Sequence, residues 1–140
     1  MATTDVTLVD TNVLFDLVTD DPIWAEWSLR QLENQAMQDR LVVNAVVYAE
    51  LSVGFDRVEE VDAFLSGAGI DVDEIPGHAL FVAGKAFQKY RARGGTRTGV
   101  LPDFFIGAHA VVRGVGLLTR DARRYRTYFP RIILITPGDA

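Results

Sequence analysis

Four acidic residues stand at positions from which their carboxylates could meet at one site: Asp10, Glu50, Asp103 and Asp121. Asp10 directly follows a short apolar run, and Asp121 comes two residues after another. Carboxylates that are crowded together repel one another, and a divalent cation makes such a group stable at neutral pH. Oxygen ligands without histidine or cysteine suit Mg²⁺ or Mn²⁺, which polarise phosphoryl oxygens and lower the pKa of a water molecule. The four residues therefore predict a metal site that acts on phosphate esters.

Each of these acids also has a purely structural interpretation. Asp10 could cap a helix, and Asp103 falls in a predicted first helical turn, where the helix dipole favours any acid. Asp121 could serve a short helix in the same way. Glu50 could lie at the edge of a buried stripe and reach water with its carboxylate. Capping is the commoner use of a single acid, so it is the convergence of the four that favours a metal site.

The formal net charge of −5 is the sum of two parts of the chain with opposite net charge. The stretch from Lys85 to Arg131 contains eleven lysines and arginines and two acids, Asp103 and Asp121, so its net charge is +9. The rest of the chain carries 17 acids and three arginines, which gives −14. Bases around the acids would hold a polyanion that the carboxylates alone would repel. The distribution therefore favours a nucleic-acid substrate, although the average charge argues against one.

Hydrophobic patterning predicts strands that alternate with helices. Short apolar runs predict strands over Val6 to Val9, Leu41 to Val43, Ile70 to Ile75, Val115 to Thr119 and Ile132 to Ile135. The third strand alternates apolar and acidic residues, which is typical of a sheet edge. Helices are predicted from Pro22 (capped by Asp21) to about Gln38, from Asn44 to about Phe55, from Val58 to Leu65, from Pro76 to Gly94 and from Pro102 to Val112.

This alternation predicts an α/β fold with a short, mostly parallel sheet of about five strands and helices on both faces. A length of 140 residues fits one domain over residues 1–140. In such sheets a site lies beyond the carboxyl ends of the strands, near the point where the strand order switches. Asp10 and Asp121 fall where this rule places a site.

The composition and the motifs exclude several classes of protein. The chain has no cysteine, so it has no disulfide scaffold, thiolate zinc site or cysteine nucleophile. No apolar run approaches the roughly 18 residues of a membrane span, and the first ten residues lack a basic start, so no membrane association and a cytoplasmic location are expected. No glycine-rich phosphate loop follows the first strand, and Asn12 stands where a haloacid-dehalogenase-type phosphatase needs a second aspartate. A receiver domain would need a lysine after the last strand, and none is present.

Four sequence strings carry a resemblance to a known family. They are Leu-Val-Asp-Thr-Asn-Val-Leu at 8–14, Ala-Glu-Leu at 49–51, Leu-Pro-Asp-Phe-Phe-Ile-Gly-Ala at 101–108 and Leu-Leu-Thr-Arg-Asp-Ala-Arg-Arg-Tyr at 117–125. In this order and spacing the chain resembles a PIN domain and, more closely, the VapC-type ribonuclease toxins of bacterial toxin–antitoxin pairs. The likeness runs from about Thr7 to Pro137. One departure is Gly107, where the family more usually has alanine.

The resemblance implies a three-layer α/β/α fold and a Mg²⁺- or Mn²⁺-dependent endoribonuclease, a toxin that cleaves cellular RNA with a metal-activated water. It also implies homodimers and a small cognate antitoxin protein whose tail covers the site. The residues that would form this site are the catalytic and metal-binding Asp10, Glu50, Asp103 and Asp121, supported by Thr11, Asn12 and Thr119. Thr11 or Asn12 would orient Asp10 or a water molecule.

Arginines near the proposed site are predicted to contact RNA phosphates: Arg93 and Arg97 in a basic loop, and Arg120, Arg123 and Arg124 beside Asp121. The alternative for the second group is an ordinary solvated helix face. His78 and His109 are far from any metal-ligand spacing, so structural roles are expected for both. Core or dimer contacts are expected for the aromatic residues Trp24, Trp27 and Tyr48.

Two alternatives to a toxin nuclease stay open. One is a non-catalytic RNA- or protein-binding module with a PIN-like fold, and the other is a PIN nuclease that processes RNA. Four carboxylates in a groove without a metal would only weaken RNA binding, so the first alternative predicts no measurable Mn²⁺ binding. Transfer, ribosomal and messenger RNA all fit as substrates, because groove shape and loop contacts set specificity.

Overall fold

The computed structural model describes residues 5–97 and 99–138 of the chain. Within these residues five strands form one sheet: β1 (Val6–Val9), β2 (Arg40–Val43), β3 (Ile70–Val72), β4 (Gly116–Leu118) and β5 (Ile133–Ile135). The helices of the same residues are α1 (Thr11–Val18), α2 (Ala25–Ala36), α3 (Ala45–Ser52), α4 (Val58–Gly67), α5 (Gly77–Ala92), α6 (Leu101–Arg113) and α7 (Arg123–Tyr128). Among them, no helix combines the length and the apolar character that crossing a bilayer requires.

The sheet is parallel throughout and has the strand order β3-β2-β1-β4-β5. Leu8 of β1 pairs with Val42 of β2 on one side and with Leu117 of β4 on the other. Helices cover both faces, so β1 is buried along its whole length. The predicted α/β class and short parallel sheet are confirmed, and β3 lies at an edge as predicted.

Because the strands are parallel, their carboxyl ends meet at the same edge of the sheet. Each of the five strands is followed there by a polar residue: Asp10 after β1, Asn44 after β2, Asp73 after β3, Thr119 after β4 and Thr136 after β5. The order switches beside β1, since the chain leaves β1 for β2 on one side and later returns to place β4 on the other. This edge therefore positions the polar residues that the sequence singled out.

Element boundaries differ from the predicted ones where side chains form specific contacts. The second helix begins at Ala25 rather than at Pro22, because Asp21 accepts hydrogen bonds from the backbone N–H groups of Ile23 and Trp24 in a turn before it. The third strand ends at Val72 rather than at Ile75. The next residue, Asp73, lies outside the strand, and its carboxylate accepts hydrogen bonds from a histidine and an arginine.

That histidine is His109, which is buried in α6 and joins three elements. Its Nε2 donates to Asp73 at 2.9 Å, and its Nδ1 accepts from the Asn44 amide at 3.1 Å. Asn44 also caps α3 by accepting from the backbone N–H of Val47, and Arg113 donates to Asp73. Burial lowers the pKa of His109 and keeps the ring neutral, although Asp73 acts in the opposite direction. The expected structural role of His109 is confirmed, because it fixes α6 against α3.

The aromatic residues and the second histidine also have their places in the fold. Trp27 and Tyr48 are half-buried and pack against the core, and Trp24 forms an edge-to-face pair with Trp27. His78 is exposed near the start of α5.

Two predictions fall partly outside the described residues. The prediction for the N-terminal segment includes residues 1–4, and the predicted loop between α5 and α6 includes Thr98.

Gly107 on α6 faces two aromatic rings that leave no room for a side chain. A Cβ at this position would lie 2.5 Å from the ring of Phe129 and 3.1 Å from the ring of Tyr125. Both rings are buried, so neither can turn out into water. The departure from alanine is therefore required by packing.

We expect Gly107→Ala to lower the free energy of unfolding by about 1 to 3 kcal/mol, because overpacking exceeds the gain in helix propensity. Gly84 is the matched control, since it is an exposed glycine inside α5 with open space around its Cβ position. Gly84→Ala should raise stability by about 0.5 to 1 kcal/mol. Urea denaturation measures both changes, and equal effects at the two positions would contradict the packing argument.

Candidate active site

One cleft of about 410 Å³ at the carboxyl edge of the sheet brings together all four predicted acids. Asp10 comes from the end of β1, Glu50 from α3, Asp103 from the first turn of α6 and Asp121 from the segment after β4. The remaining lining residues are Thr11, Asn12, Phe15, Val53 and Tyr125. The cleft thus joins carboxylates that are up to 111 positions apart in the chain.

Asp10 lies at the bottom of the cleft and is almost completely removed from water. Its Oδ1 accepts from the backbone N–H of Thr11 at 2.8 Å, as a helix cap does. Its Oδ2 accepts from the hydroxyl groups of Thr119 and Tyr125, each at 2.8 Å. The predicted cap is therefore present, and Asp10 also lines the cleft, so its capping role is compatible with the predicted role in the site.

Burial raises the pKa of Asp10 to about 6, against its ordinary value of 3.8. Hydrogen bonds from Thr119 and Tyr125 act against this rise, and the nearby charge of Asp103 adds to it. Burial likewise raises the pKa of Asp103; Arg124 offsets part of this rise, whereas Glu50 and Asp121 add to it. Burial, together with the carboxylates of Asp10, Asp103 and Glu50, also raises the pKa of the Tyr125 hydroxyl. The cleft therefore concentrates more negative charge than its own hydrogen bonds offset.

Thr11, Asn12 and Thr119 hold the acids in place. The Thr11 hydroxyl donates to Glu50 Oε1 at 2.7 Å, which orients a carboxylate that is otherwise only half-buried. The Asn12 amide donates to the Thr119 hydroxyl at 3.2 Å, and its oxygen accepts from the backbone N–H of Arg120 at 3.1 Å. Thr119 in turn accepts from the backbone N–H of Asp121. These contacts connect the end of β1 to the segment that follows β4.

Arg124 and Arg120 are held by acids inside the protein. Arg124 donates through Nη1 to Asp103 Oδ2 in a partly buried ion pair. Arg120 donates through Nε and Nη2 to the two oxygens of Asp16, at 2.7 and 2.9 Å, and its guanidinium lies 5.1 Å from the ring centre of Trp24. Both guanidinium groups are thus already paired with carboxylates of the protein itself.

Three other arginines predicted to bind RNA lie on the surface. Arg93 and Arg97 are exposed in and beside the loop between α5 and α6, and the guanidinium of Arg93 lies 5.4 Å from the ring centre of Tyr128. Arg123 is exposed and lines a second cavity, of about 580 Å³, that shares Asp121 with the cleft. Arg93 and Arg123 are thus connected to α7, through the ring of Tyr128 and through the second cavity respectively.

Sequence reasoning missed two residues that support the site, Asp16 and Tyr125. Asp16 is buried in α1 and accepts from Ser28 at 2.6 Å as well as from Arg120. A signal for Asp16 was available, because an acid in the apolar run after Asp10 lies one helical turn from Asn12 and needs a buried partner. Tyr125 gave no comparable signal, since its contact with Asp10 depends on how α7 packs.

The donor chemistry of the cleft fits a hard divalent cation, since all four acids offer carboxylate oxygens. Among residues 5–97 and 99–138, however, no three His, Cys, Asp or Glu side chains are arranged as a ready-made metal site. The carboxylates are instead engaged by hydroxyl groups and, at Asp103, by Arg124. The residues therefore fit Mg²⁺ or Mn²⁺ by chemistry, and binding requires side chains to move.

The sequence and the fold of the chain are similar to those of known proteins. The chain matches the family model of the PIN domain over residues 7–130. No curated protein sequence matches it significantly. Among solved structures it is similar to VapBC2 from Rickettsia felis bound to a DNA fragment from the promoter, with a TM-score of 0.72 and 18% identity over 94% of this chain and 98% of the other.

Two further solved structures show the same likeness. One is VapBC-1 from nontypeable Haemophilus influenzae, with a TM-score of 0.70 and 20% identity over 94% of this chain and 97% of the other. The other is a toxin–antitoxin complex from Klebsiella pneumoniae, with a TM-score of 0.68 and 20% identity over 96% of this chain and 99% of the other. At such identities the likeness is one of fold.

The buried Asp10 predicts a stability that depends on pH. Folded protein keeps the Asp10 proton up to about pH 6 and unfolded protein releases it near 3.8, so the contribution of Asp10 falls as pH rises between these values. With EDTA present, Asp10→Asn should raise the free energy of unfolding near neutral pH by up to about 3 kcal/mol, and have little effect at about pH 4. Urea denaturation at the two pH values measures this difference.

The control for this experiment is Asp121→Asn, which removes an exposed carboxylate from the rim of the same cleft. It should leave the stability nearly unchanged at both pH values. If Asp10→Asn behaves like this control, the Asp10 carboxylate is not desolvated as described.

The pair between Arg120 and Asp16 predicts a large loss of stability on truncation. Arg120→Gln leaves the buried Asp16 without its cation, which costs about 3 to 5 kcal/mol. Arg123→Gln removes the same charge three residues away from an exposed position and should change stability by less than about 0.5 kcal/mol. Thermal or urea unfolding of both variants tests this, and similar stabilities would show that the Arg120 pair contributes nothing.

Proposed function

The chain belongs to the PIN domain family, and from that premise we propose that it is a metal-dependent endoribonuclease that acts as the toxin of a toxin–antitoxin pair. PIN domains are generally nucleases. The observation that carries the proposal is the cleft in which Asp10, Glu50, Asp103 and Asp121 meet at the carboxyl edge of the sheet. We propose that one such domain spans residues 1–140.

The residues that would hold Mg²⁺ or Mn²⁺ are these four acids. A bound ion of this kind would polarise the scissile phosphate, lower the pKa of a water molecule and stabilise the leaving oxygen. Thr119, Tyr125 and the N–H of Thr11 orient the Asp10 carboxylate, and the Thr11 hydroxyl orients Glu50. Carboxylates held in this way are already oriented before a metal binds, which limits the rearrangement that the reaction needs.

Arginines around the cleft would bind the RNA backbone. Arg93, Arg97 and Arg123 are exposed and suit direct phosphate contact, and Arg93 and Arg123 lie next to α7 residues. Arg120 is held by Asp16, so its contribution would be to fix the segment between Thr119 and Asp121. Arg124 would reach RNA only after leaving Asp103. The basic stretch thus has both RNA-facing and structural members.

The toxin role rests on the likeness to VapBC structures and to a toxin–antitoxin complex. We propose accordingly that a small cognate antitoxin covers the cleft and that the protein forms a homodimer. Co-expression with a short open reading frame next to the gene should relieve growth arrest caused by the chain alone. Growth that is unaffected by the chain, together with RNA cleavage in vitro, would favour RNA processing instead.

The nuclease activity is tested with purified protein, Mn²⁺ and total cellular RNA. We expect Asp10→Asn and Asp103→Asn to reduce cleavage by on the order of 100-fold or more, because each removes a carboxylate that would hold the metal ion. Sequencing of RNA 5′ ends should show 5′-phosphates, as attack by water requires. Fragments ending in 2′,3′-cyclic phosphate would contradict this chemistry, since they arise from attack by the 2′-hydroxyl of the RNA.

The matched control is Asp71→Asn, which removes an exposed carboxylate on β3 that pairs with Arg40. Its activity should equal that of the unmodified chain. If no variant changes a low background of cleavage and calorimetry detects no Mn²⁺ binding, the chain is a non-catalytic binding module.

A further inference from the structure

Arg124 lines the cavity next to the cleft and supplies a cation to one of the cleft's acids, Asp103. We propose, on the basis of the function proposed above, that Arg124 neutralises Asp103 in the metal-free protein, leaves it when a divalent cation binds, and then faces an RNA phosphate in the neighbouring cavity. Metal binding and RNA binding would thereby be coupled through one side chain.

The position of Arg124 supports this role. It follows Arg123 and precedes Tyr125 on α7, so two consecutive side chains contact two different acids of the cleft: Arg124 contacts Asp103, and Tyr125 contacts Asp10. The side chains of Arg124 and Asp103 are 26% and 30% exposed, so the pair is partly shielded from water and is stronger than a surface ion pair. Tyr125 is buried and fixes α7, whereas Arg124 retains access to solvent.

Arg124 and a divalent cation compete for the same carboxylate. A cation bound to Asp103 would lie close to the guanidinium, and like charges at short range destabilise each other. The acids Glu50 and Asp121 also act on Asp103, so the cleft favours a cation of higher charge than one arginine supplies. Arg124 therefore lowers metal affinity while it keeps the metal-free protein stable.

A place for the released side chain is already present. The second cavity, of about 580 Å³, is lined by Asp121, Ala122, Arg123, Arg124, Thr127 and Tyr128, and it shares Asp121 with the cleft. Arg93 lies over the ring of Tyr128 at the border of this cavity. A released Arg124 would join Arg123 there, with Arg93 on the ring of Tyr128, and several cations near one cavity suit the phosphates of an RNA strand.

Titration of Mn²⁺ by calorimetry tests the competition. We expect Arg124→Gln to bind Mn²⁺ roughly fivefold or more tightly than the unmodified chain, a coupling of ordinary size between linked sites. Arg123→Gln is the matched control, because it removes the same charge from the next position without a contact to Asp103. Its Mn²⁺ affinity should stay within about twofold of that of the unmodified chain.

The outcomes separate this inference from the proposed function. If all three proteins bind Mn²⁺ with the same affinity, the metal site stands and the role of Arg124 is overturned. Weaker binding by Arg124→Gln would likewise overturn it. If none of them binds Mn²⁺, the proposed function fails and the inference fails with it.

A second measurement follows the released side chain with EDTA present. Asp103→Asn and Asp10→Asn each remove one carboxylate from the cleft, but only the first removes the partner of Arg124. Asp103→Asn should therefore bind a short fluorescein-labelled single-stranded RNA of mixed sequence roughly fivefold more tightly than Asp10→Asn. The difference should disappear when Arg124→Gln is added to both. Equal anisotropy titrations of the two single variants would show that Arg124 does not move onto RNA.

Discussion

The arrangement of the cleft depends on the carboxylate of Asp10, which lies at the end of the central strand with almost no access to water and whose charge costs the folded protein stability near neutral pH. An ionised carboxylate in such a place is costly unless it is hydrogen-bonded or paired with a cation. The chain meets this need from three directions: the start of α1 supplies an N–H group, and β4 and α7 supply the hydroxyl groups of Thr119 and Tyr125. The contacts from Thr119 and Tyr125 also bring the segment that carries Asp121, and helix α7, to the end of β1, so satisfying one buried group assembles part of the cleft.

The polar residues after the strands have two different roles at this edge of the sheet. Asp10 and Thr119 belong to the cleft, whereas Asn44 and Asp73 hold a neutral histidine that fixes α6 against α3. Glu50 and Asp103 lie on those two helices, so the histidine determines how far apart the two acids stand. Residues that never touch the cleft therefore set its shape.

Much of this arrangement could be predicted from the chain. Continuous apolar runs gave the strands, and an acid at the end of each of two runs, together with the rule for parallel sheets, placed Asp10 and Asp121 at one edge. Cap and period signals predicted the element boundaries less well. Asp21 binds the N–H groups of a turn before α2 instead of capping the helix itself, and β3 ends early at Asp73, which binds His109 from a distant part of the chain. The contacts of Arg120 and Tyr125 could not be predicted, because they depend on how α7 and the segment before it pack against residues more than a hundred positions earlier. The contact of Arg124 with Asp103 spans 21 positions, and it depends in the same way on how α7 packs against α6.

Those long separations have a consequence for how the protein is made. Asp10 and Asp16 leave the ribosome early, but Thr119, Arg120 and Tyr125 follow more than a hundred residues later. Until β4 pairs with β1, the cleft lacks two of the three groups that bind Asp10, and Asp16 lacks its cation. Contacts that span such distances form late, since the chain must first close large loops. A nascent chain therefore carries its first acids without a cleft, and the cleft is completed only when synthesis has nearly ended.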